Sequence, residues 1–314
     1  MRAICDAILL YMLTRYGQKH AAWIDLVAPT PAEVRMLMQE YGIDPLIAEE
    51  LLVPSFKPKV ERRGEIIYVI LHFPVLRGLG QRQEQEIDFV IGKNFLITAR
   101  YGQVDPLLTF AQAFEVTTVL GRPITHQHGG HLFTSLARAL YEALVSETQT
   151  VTQRLQDIED RVFAGRERQM VIEISQTGRI IHDFREALAP HKEMLTSIEP
   201  VASRIFGAEF AYYLRDLMGA EERVERKLDN LHTSLIELRE TNNSLLSTKQ
   251  NEIMKTLTIM AFVTFPLTLI SSIFGMNTHW LPLVGLPGDF WIVIGMMMTL
   301  AVSFFLYFKH RGWL

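Results

Sequence analysis

The chain reads as an α+β cytosolic domain followed by a helical hairpin, a long stalk helix and two transmembrane α-helices. Three observations predict this. Runs of β-branched and aromatic residues mix with short helical signals over the first 125 residues. From about Gly130 the apolar residues recur at threes and fours. Two uncharged stretches then close the chain, Thr256 to Ile273 with 18 residues and Phe290 to Phe308 with 19. At about 1.5 Å of rise per residue these span roughly 27 and 29 Å, close to the hydrocarbon thickness of a bilayer.

The gross numbers narrow the function classes. A chain of 314 residues leaves about 250 before the first span, enough for a cytosolic core. A net charge of -4 and an isoelectric point near 6.2 argue against a nucleic-acid partner. The single cysteine, Cys5, excludes an intramolecular disulfide and a Cys-rich zinc site. There is no Gly-x-x-x-x-Gly-Lys loop and no His-Glu-x-x-His, so nothing points to an enzyme.

Taken in order, Ala3 to Leu13 is apolar but interrupted by Asp6, and reads as an edge or buried strand rather than a leader. Thr30 followed by Pro31 predicts a helix over Pro31 to Gln39, with Thr30 as its cap. Ile66 to Phe73 reads as a strand. Ile87 to Ile91 and Phe95 to Thr98, flanking Gly92-Lys93-Asn94, read as a hairpin. The periodic residues Leu136 to Val162 predict one helix ended by Gly165, and a second runs from about Arg166 to Ser197 to complete an antiparallel pair. Pro200 is expected to separate that pair from a helix over roughly Ala208 to Ile273, which enters the first span without a turn signal. The resulting boundaries are 1–125, 126–199 for the hairpin, 200–255 for the stalk, 256–277 and 290–308 for the spans, 278–289 for the loop between them and 309–314 for the tail.

Lys255 precedes the first span and Lys309, His310 and Arg311 follow the second, while Thr278 to Asp289 carries no Lys or Arg. The positive-inside rule therefore puts both termini in the cytoplasm and the short loop outside, in a multi-pass protein of the cytoplasmic membrane. On a helical wheel Asn251, Met254, Leu257, Thr258, Ala261, Phe265, Thr268, Ser272 and Gly275 fall within an arc of about 120°. A polar stripe on an apolar span faces protein or water. Helix packing is one reading and a pore is the other; two spans cannot enclose a pore, so conduction demands several copies.

Asn251-Glu252-Ile253-Met254-Lys255, Phe265-Pro266-Leu267-Thr268, Gly275-Met276-Asn277 and the basic aromatic tail resemble the CorA family of divalent-cation (magnesium) transporters. The likeness extends to Tyr41-Gly42-Ile43, Lys57-Pro58-Lys59-Val60-Glu61, Gly92-Lys93-Asn94 and Tyr213-Leu214-Arg215-Asp216, and so covers nearly the whole chain. It implies a funnel-shaped homopentamer in the lipid bilayer, with one pore-lining helix per subunit. It assigns Gly275, Met276 and Asn277 to ion selection at the outer mouth. Asn251 and Thr268 match polar pore positions, and Met254 and Leu257 match a narrow apolar part suited to gating by dewetting. It also implies a regulatory Mg2+ held by acidic residues across subunit interfaces, with Glu50 and Asp216 at the matching places.

Departures bear on the ion. Phe265 stands where Met is frequent, and the outer loop lacks an acidic signature, leaving Asp289 and His279 as its candidates for attracting cations. Mg2+ uptake is the leading reading, with Zn2+, Co2+ or Ni2+ transport as the alternative and a membrane-anchored scaffold behind both. His126, His128 and His131 are candidate metal ligands, set against a polar loop leading into a helix, since Zn2+ takes three or four ligands in fixed geometry.

Overall fold

The computed structural model describes residues 13–18, 21–55, 57–74, 84–102, 104–119, 128–277, 282–283, 285 and 287–313. Cys5, most of the Ala3 to Leu13 run, His126 and His279 lie outside them. The chain forms two compact units, Met1–Arg239 and Glu240–Leu314.

The first unit is built on a six-stranded sheet. Its strands are β1 (Leu13–Gln18), β2 (Ala21–Val27), β3 (Lys59–Arg63), β4 (Ile66–Pro74), β5 (Glu84–Ile91) and β6 (Phe95–Arg100), in the order β1-β2-β6-β5-β4-β3. Only β2 and β6 run parallel, with Ala22 opposite Phe95 and Val27 opposite Arg100. The others pair antiparallel, including the expected β5–β6 hairpin around Gly92-Lys93-Asn94.

Alternation along the strands divides the core in two. Ile24, Leu26, Tyr68, Ile70, Val90 and Ile97 point to one face. There they meet Val34 and Leu37 of α1 (Pro31–Tyr41) and Ile47 of α2 (Pro45–Glu50). Helix α1 starts where the sequence places it: Thr30 caps Glu33 N–H, and the Glu33 carboxylate returns a bond to Thr30 N–H at 2.9 Å.

The other face carries Trp23 and Phe89. The Trp23 ring meets Phe110 and Phe114 of α3 (Asp105–Val119), and Phe89 meets Phe133 of α4 (Gly129–Phe163). Here a buried ion pair is satisfied on all sides. Arg100 donates to Asp25 Oδ2 at 2.9 and 3.1 Å, and Thr98 donates to Asp25 Oδ1 at 2.7 Å. Gly129 presses α4 onto the hairpin, donating to Lys93 O at 2.9 Å; a Cβ there would lie 2.1 Å from Phe95 O.

The second arm of the helical pair differs from expectation. It is two helices, α5 (Glu167–Leu188) and α6 (His191–Phe206), because Pro190 lacks an N–H and its ring opposes the preceding turn. Pro200, expected to end the pair, sits inside α6. Leu195, Ile198 and Ala202 are buried around it and hold the helix across the missing bond; the break falls instead at Gly207, whose φ is 91°. Helix α7 then runs unbroken from Phe210 to Phe274, 65 residues with Pro266 inside. Within the first unit its buried stripe is Leu214, Leu217, Val224, Leu228, Leu231 and Leu235, and Leu235 lies 3.0 Å from where a Cβ on Gly178 of α5 would stand.

The second unit holds the remainder of α7 and α8 (Asp289–His310). The Phe262 ring meets Phe308 with centroids 6.3 Å apart, and Phe308 stacks on Trp313. Lys255 Nζ donates to Gly312 O at 3.4 Å, tying the tail to the start of the span.

Candidate functional site

Both helices of the second unit are long and apolar enough to cross a membrane. No residue in the most apolar part of either is buried by the rest of the chain. A soluble hairpin would hide these surfaces; here they await lipid or further copies of the chain. Phe262 of α7 meets Phe308 of α8 and lies about 20° outside the polar arc on the wheel, with buried Ile259 about 80° outside it. The second span therefore leaves the stripe uncovered. Met254, Leu257 and Phe265 are 55%, 54% and 72% exposed along it.

The hydroxyls of the stripe have committed their protons inward. Thr258 donates to Met254 O at 2.7 Å and Thr268 to Thr264 O at 2.9 Å. This satisfies both threonine hydroxyls in an apolar surrounding and leaves oxygen lone pairs on the exposed face. Asn251 and Ser272 are exposed on the same side, and Ala261 is half-buried.

At its end α7 gives way after Phe274. Gly275 N–H still bonds Ser271 O at 2.9 Å, and Met276 N–H bonds Ile273 O at 3.3 Å, after which Asn277 is exposed and outside regular structure. The reason for glycine is close approach rather than a left-handed turn: a Cβ on Gly275 would stand 3.0 Å from Ser271 O. Asp289 folds back on its own loop, accepting from Gly285 N–H at 3.2 Å and Phe290 N–H at 2.6 Å. It is the first residue of α8, with Gly288 at the cap position, and adds an acidic charge to the first turn.

In the first unit, Glu50 at the end of α2 accepts from Lys59 Nζ at 2.7 and 3.1 Å. Asp216 on α7 pairs with Arg138 of α4. Both carboxylates are substantially exposed, at 37% and 53% of their side chains. Exposed pairs of this kind hold by only about 0 to 1 kcal/mol. Their oxygens are hard ligands of the type Mg2+ takes, and an exposed Lys or Arg is displaced at little cost. The residues fit a divalent cation. The sequence reading missed Lys59 and Arg138 as partners; Lys59 was visible in Lys57-Pro58-Lys59, but Arg138 lies 78 residues from Asp216.

His128 and His131 come together at the start of α4, with ring centroids 3.9 Å apart. His128 Nδ1 accepts the His131 N–H at 3.3 Å, so the ring serves as the helix cap, and its other face stacks on Phe206. Burial and the neighbouring His131 hold His128 down to about 4, so it is neutral at physiological pH. Among the described residues no three His, Cys, Asp or Glu converge as a metal site.

A buried polar network beneath the sheet was not legible in sequence. Asp88 Oδ2 accepts from Tyr68 at 3.0 Å and Tyr101 at 3.4 Å, while His72 Nε2 bonds Glu86 Oε2 at 3.0 Å. Burial, with the nearby Glu86 charge, raises Asp88 well above the usual carboxylate range. Tyr101 also donates to Leu51 O at 3.2 Å, fixing the end of α2 that carries Glu50.

Comparison with known proteins places this geometry in context. The profile of the family described as CorA-like Mg2+ transporter protein matches residues 18–310. The cobalt/magnesium transport protein CorA of Thermotoga maritima is 25% identical over 296 residues, covering 93% of this chain and 83% of its own. Among solved structures, the complete CorA magnesium transporter from Methanocaldococcus jannaschii superposes with a TM-score of 0.82 at 20% identity, over 95% of this chain and 93% of that one. The full-length CmaX protein gives 0.68 at 17% identity, over 93% and 89%.

Proposed function

The chain belongs to the CorA-like Mg2+ transporter protein family, a family of divalent-cation transporters rather than enzymes, and from that premise we propose how this chain carries its ion. Five copies assemble around an axis, each turning the Asn251-to-Ser272 face of α7 inward, and Mg2+ enters the cytoplasm down the membrane potential. Both termini lie in the cytoplasm.

The observation that carries this reading is the exposed stripe of α7, which lies outside the Phe262–Phe308 contact with α8. Its polar residues are spaced along the helix from Asn251 to Ser272, and exposed Asn277 follows the helix end. Mg2+ surrenders water reluctantly, so a ring of neutral Asn277 amide oxygens holds the ion through its water shell and releases it readily. The lone pairs of Thr268 and Thr258 receive those waters in turn. Phe265, between Thr268 and Thr258, and Leu257 and Met254, between Thr258 and Asn251, are the dry levels, where an empty pore loses its water and closes.

Glu50 of one copy and Asp216 of its neighbour are the residues that would hold a regulatory Mg2+. Bound there, the ion supplies the positive charge that lets two carboxylates approach. Without it, Lys59 and Arg138 neutralise each carboxylate within its own chain.

The test is ion flux into liposomes containing the purified protein, with Mg2+, Co2+ and Zn2+ compared, with and without a pH gradient. Mg2+ flux that follows the membrane potential and ignores the pH gradient is expected. Flux of Zn2+ alone, driven by the proton gradient, would replace this reading with a zinc carrier on the same fold.

A further inference from the structure

Helix α7 carries a basic cleft that the transport reading does not use. It has a volume of about 460 Å³ and is lined by Arg223, Arg226, Lys227 and Asn230 of α7 and by Glu142 and Val145 of α4. Positions 223, 226, 227 and 230 fall in an arc of about 100° on α7, so the three cations and the amide face one way. The volume is in the range of small-molecule sites, roughly 300 to 1,000 Å³.

The charge in the cleft is only partly compensated. Arg226 is matched by Glu222, one turn back, at 3.2 Å. Glu142, the one carboxylate on the lining, is taken by Arg138 at 3.0 Å. Among the described residues no carboxylate pairs with Arg223 or Lys227. Three other cations of the helical layer pair with carboxylates: Arg185 with Asp229, Arg154 with Glu173 and Arg138 with Asp216. In a chain of net charge -4 this is a local positive concavity.

We propose that this cleft binds a small polyphosphate anion, with a nucleoside triphosphate the class that best matches its size and lining. Guanidinium forks at 223 and 226 suit bidentate contact with phosphate oxygens, and Lys227 adds a point charge beside them. Asn230 offers an amide at the next turn, and Val145 gives an apolar wall for a base. Inorganic triphosphate shares the phosphate chemistry but not the base contact.

The experiment is titration calorimetry on the full-length protein in detergent, using ATP and inorganic triphosphate separately, each without Mg2+, at two salt concentrations. Wild type is expected to bind both, with affinity falling as salt rises. The Arg223→Gln, Lys227→Gln double variant should bind at least about tenfold more weakly and with a shallower salt dependence. Tighter binding of ATP than of triphosphate assigns the site to nucleotides through Val145; equal binding assigns it to phosphate alone, and both support an anion site. Absence of binding by wild type, or unchanged affinity in the double variant, overturns the proposal. So does a double variant whose only defect is loss of oligomeric mass by light scattering, which would make the cleft a docking surface for a second copy. Because the readout is anion affinity, not ion flux, the proposal stands or falls separately from the transport reading.

Discussion

Glu221 lies on the packed side of α7 and is 4% exposed. The titratable groups around it are Glu222 and Glu225 on its own helix, Lys192 of α6 and Tyr141 of α4. Burial, reinforced by Glu225, raises its carboxyl from an ordinary 4.5 to about 7, against the weaker pull of Lys192. Between those values the folded protein keeps a proton that the unfolded chain has released. Stability therefore falls as pH rises across this window: the contribution is fully present below 4.5 and lost once pH passes 7. At 1.36 kcal/mol for each tenfold, the whole interval is worth about 3 kcal/mol, and the part between pH 5.5 and 7 about 2.

Glu221→Gln keeps the shape and removes the titration. The variant should gain about 2 kcal/mol on wild type between pH 5.5 and pH 8, a relative rise in melting temperature of about 4 to 8 °C for a unit of this size. Thermal unfolding of the detergent-solubilised protein, followed by circular dichroism at both pH values, measures it. Every other titrating group is common to the two proteins, so the difference of differences isolates Glu221. A gap between variant and wild type that is the same at pH 5.5 and pH 8, or that narrows, would refute the buried, protonated carboxyl.

Asn277→Ala should abolish or strongly reduce Mg2+ flux while leaving oligomeric mass unchanged; wild-type flux from the assembled variant would rule out the amide ring. Leu257→Ser should wet the apolar level and raise conductance at high Mg2+, and unchanged single-channel currents would move the barrier to Phe265. Asp216→Asn should weaken Mg2+ protection of the first unit against protease and make flux less sensitive to internal Mg2+; protection at the wild-type concentration would reduce Asp216 to a surface charge paired with Arg138. Gly129→Ala forces a Cβ against the Phe95 and Gly92 carbonyls and should cost about 3 kcal/mol or more, read as a lowered melting temperature; a wild-type transition would show that α4 does not seat on the hairpin as described.

What the sequence displayed was whatever has a local signature. The cap at Thr30, the strand at Ile66, the hairpin at Gly92 and the two spans each follow from residues within one turn or one strand of each other. The polar arc was legible for the same reason, because one helix carries all of it. The misplaced break at Pro200 shows the limit: proline ends a helix by local chemistry, but buried Leu195, Ile198 and Ala202 outweigh one missing bond. The His128 ring likewise looks like a ligand in sequence, and becomes a cap because Phe206, distant in the chain, stacks on it. The Asp88 network and the Arg138–Asp216 pair depend on contacts 20 and 78 residues apart, and no pattern in the chain announces them.

In the proposed function the division of α7 ties conduction to assembly. Its own second span meets Phe262 through Phe308, and an exposed arc of about 120° remains that mixes Asn251, Thr258, Thr268 and Ser272 with apolar residues. In the proposed assembly, symmetry copies meet that arc around water. Once such a path exists, the energetics need no pump. A divalent ion crossing roughly 100 mV gains about 4.6 kcal/mol, enough for a concentration ratio of about 10³ at 1.4 kcal/mol per decade. An always-open route would therefore overfill the cell, and the decisive element becomes the barrier. In the proposed pore, Asn277 and Thr268 would lower the cost of entry, whereas Met254, Leu257 and Phe265 are the bulky levels along the arc with no oxygen for the hydrated ion. Control of that pore would act on those three residues.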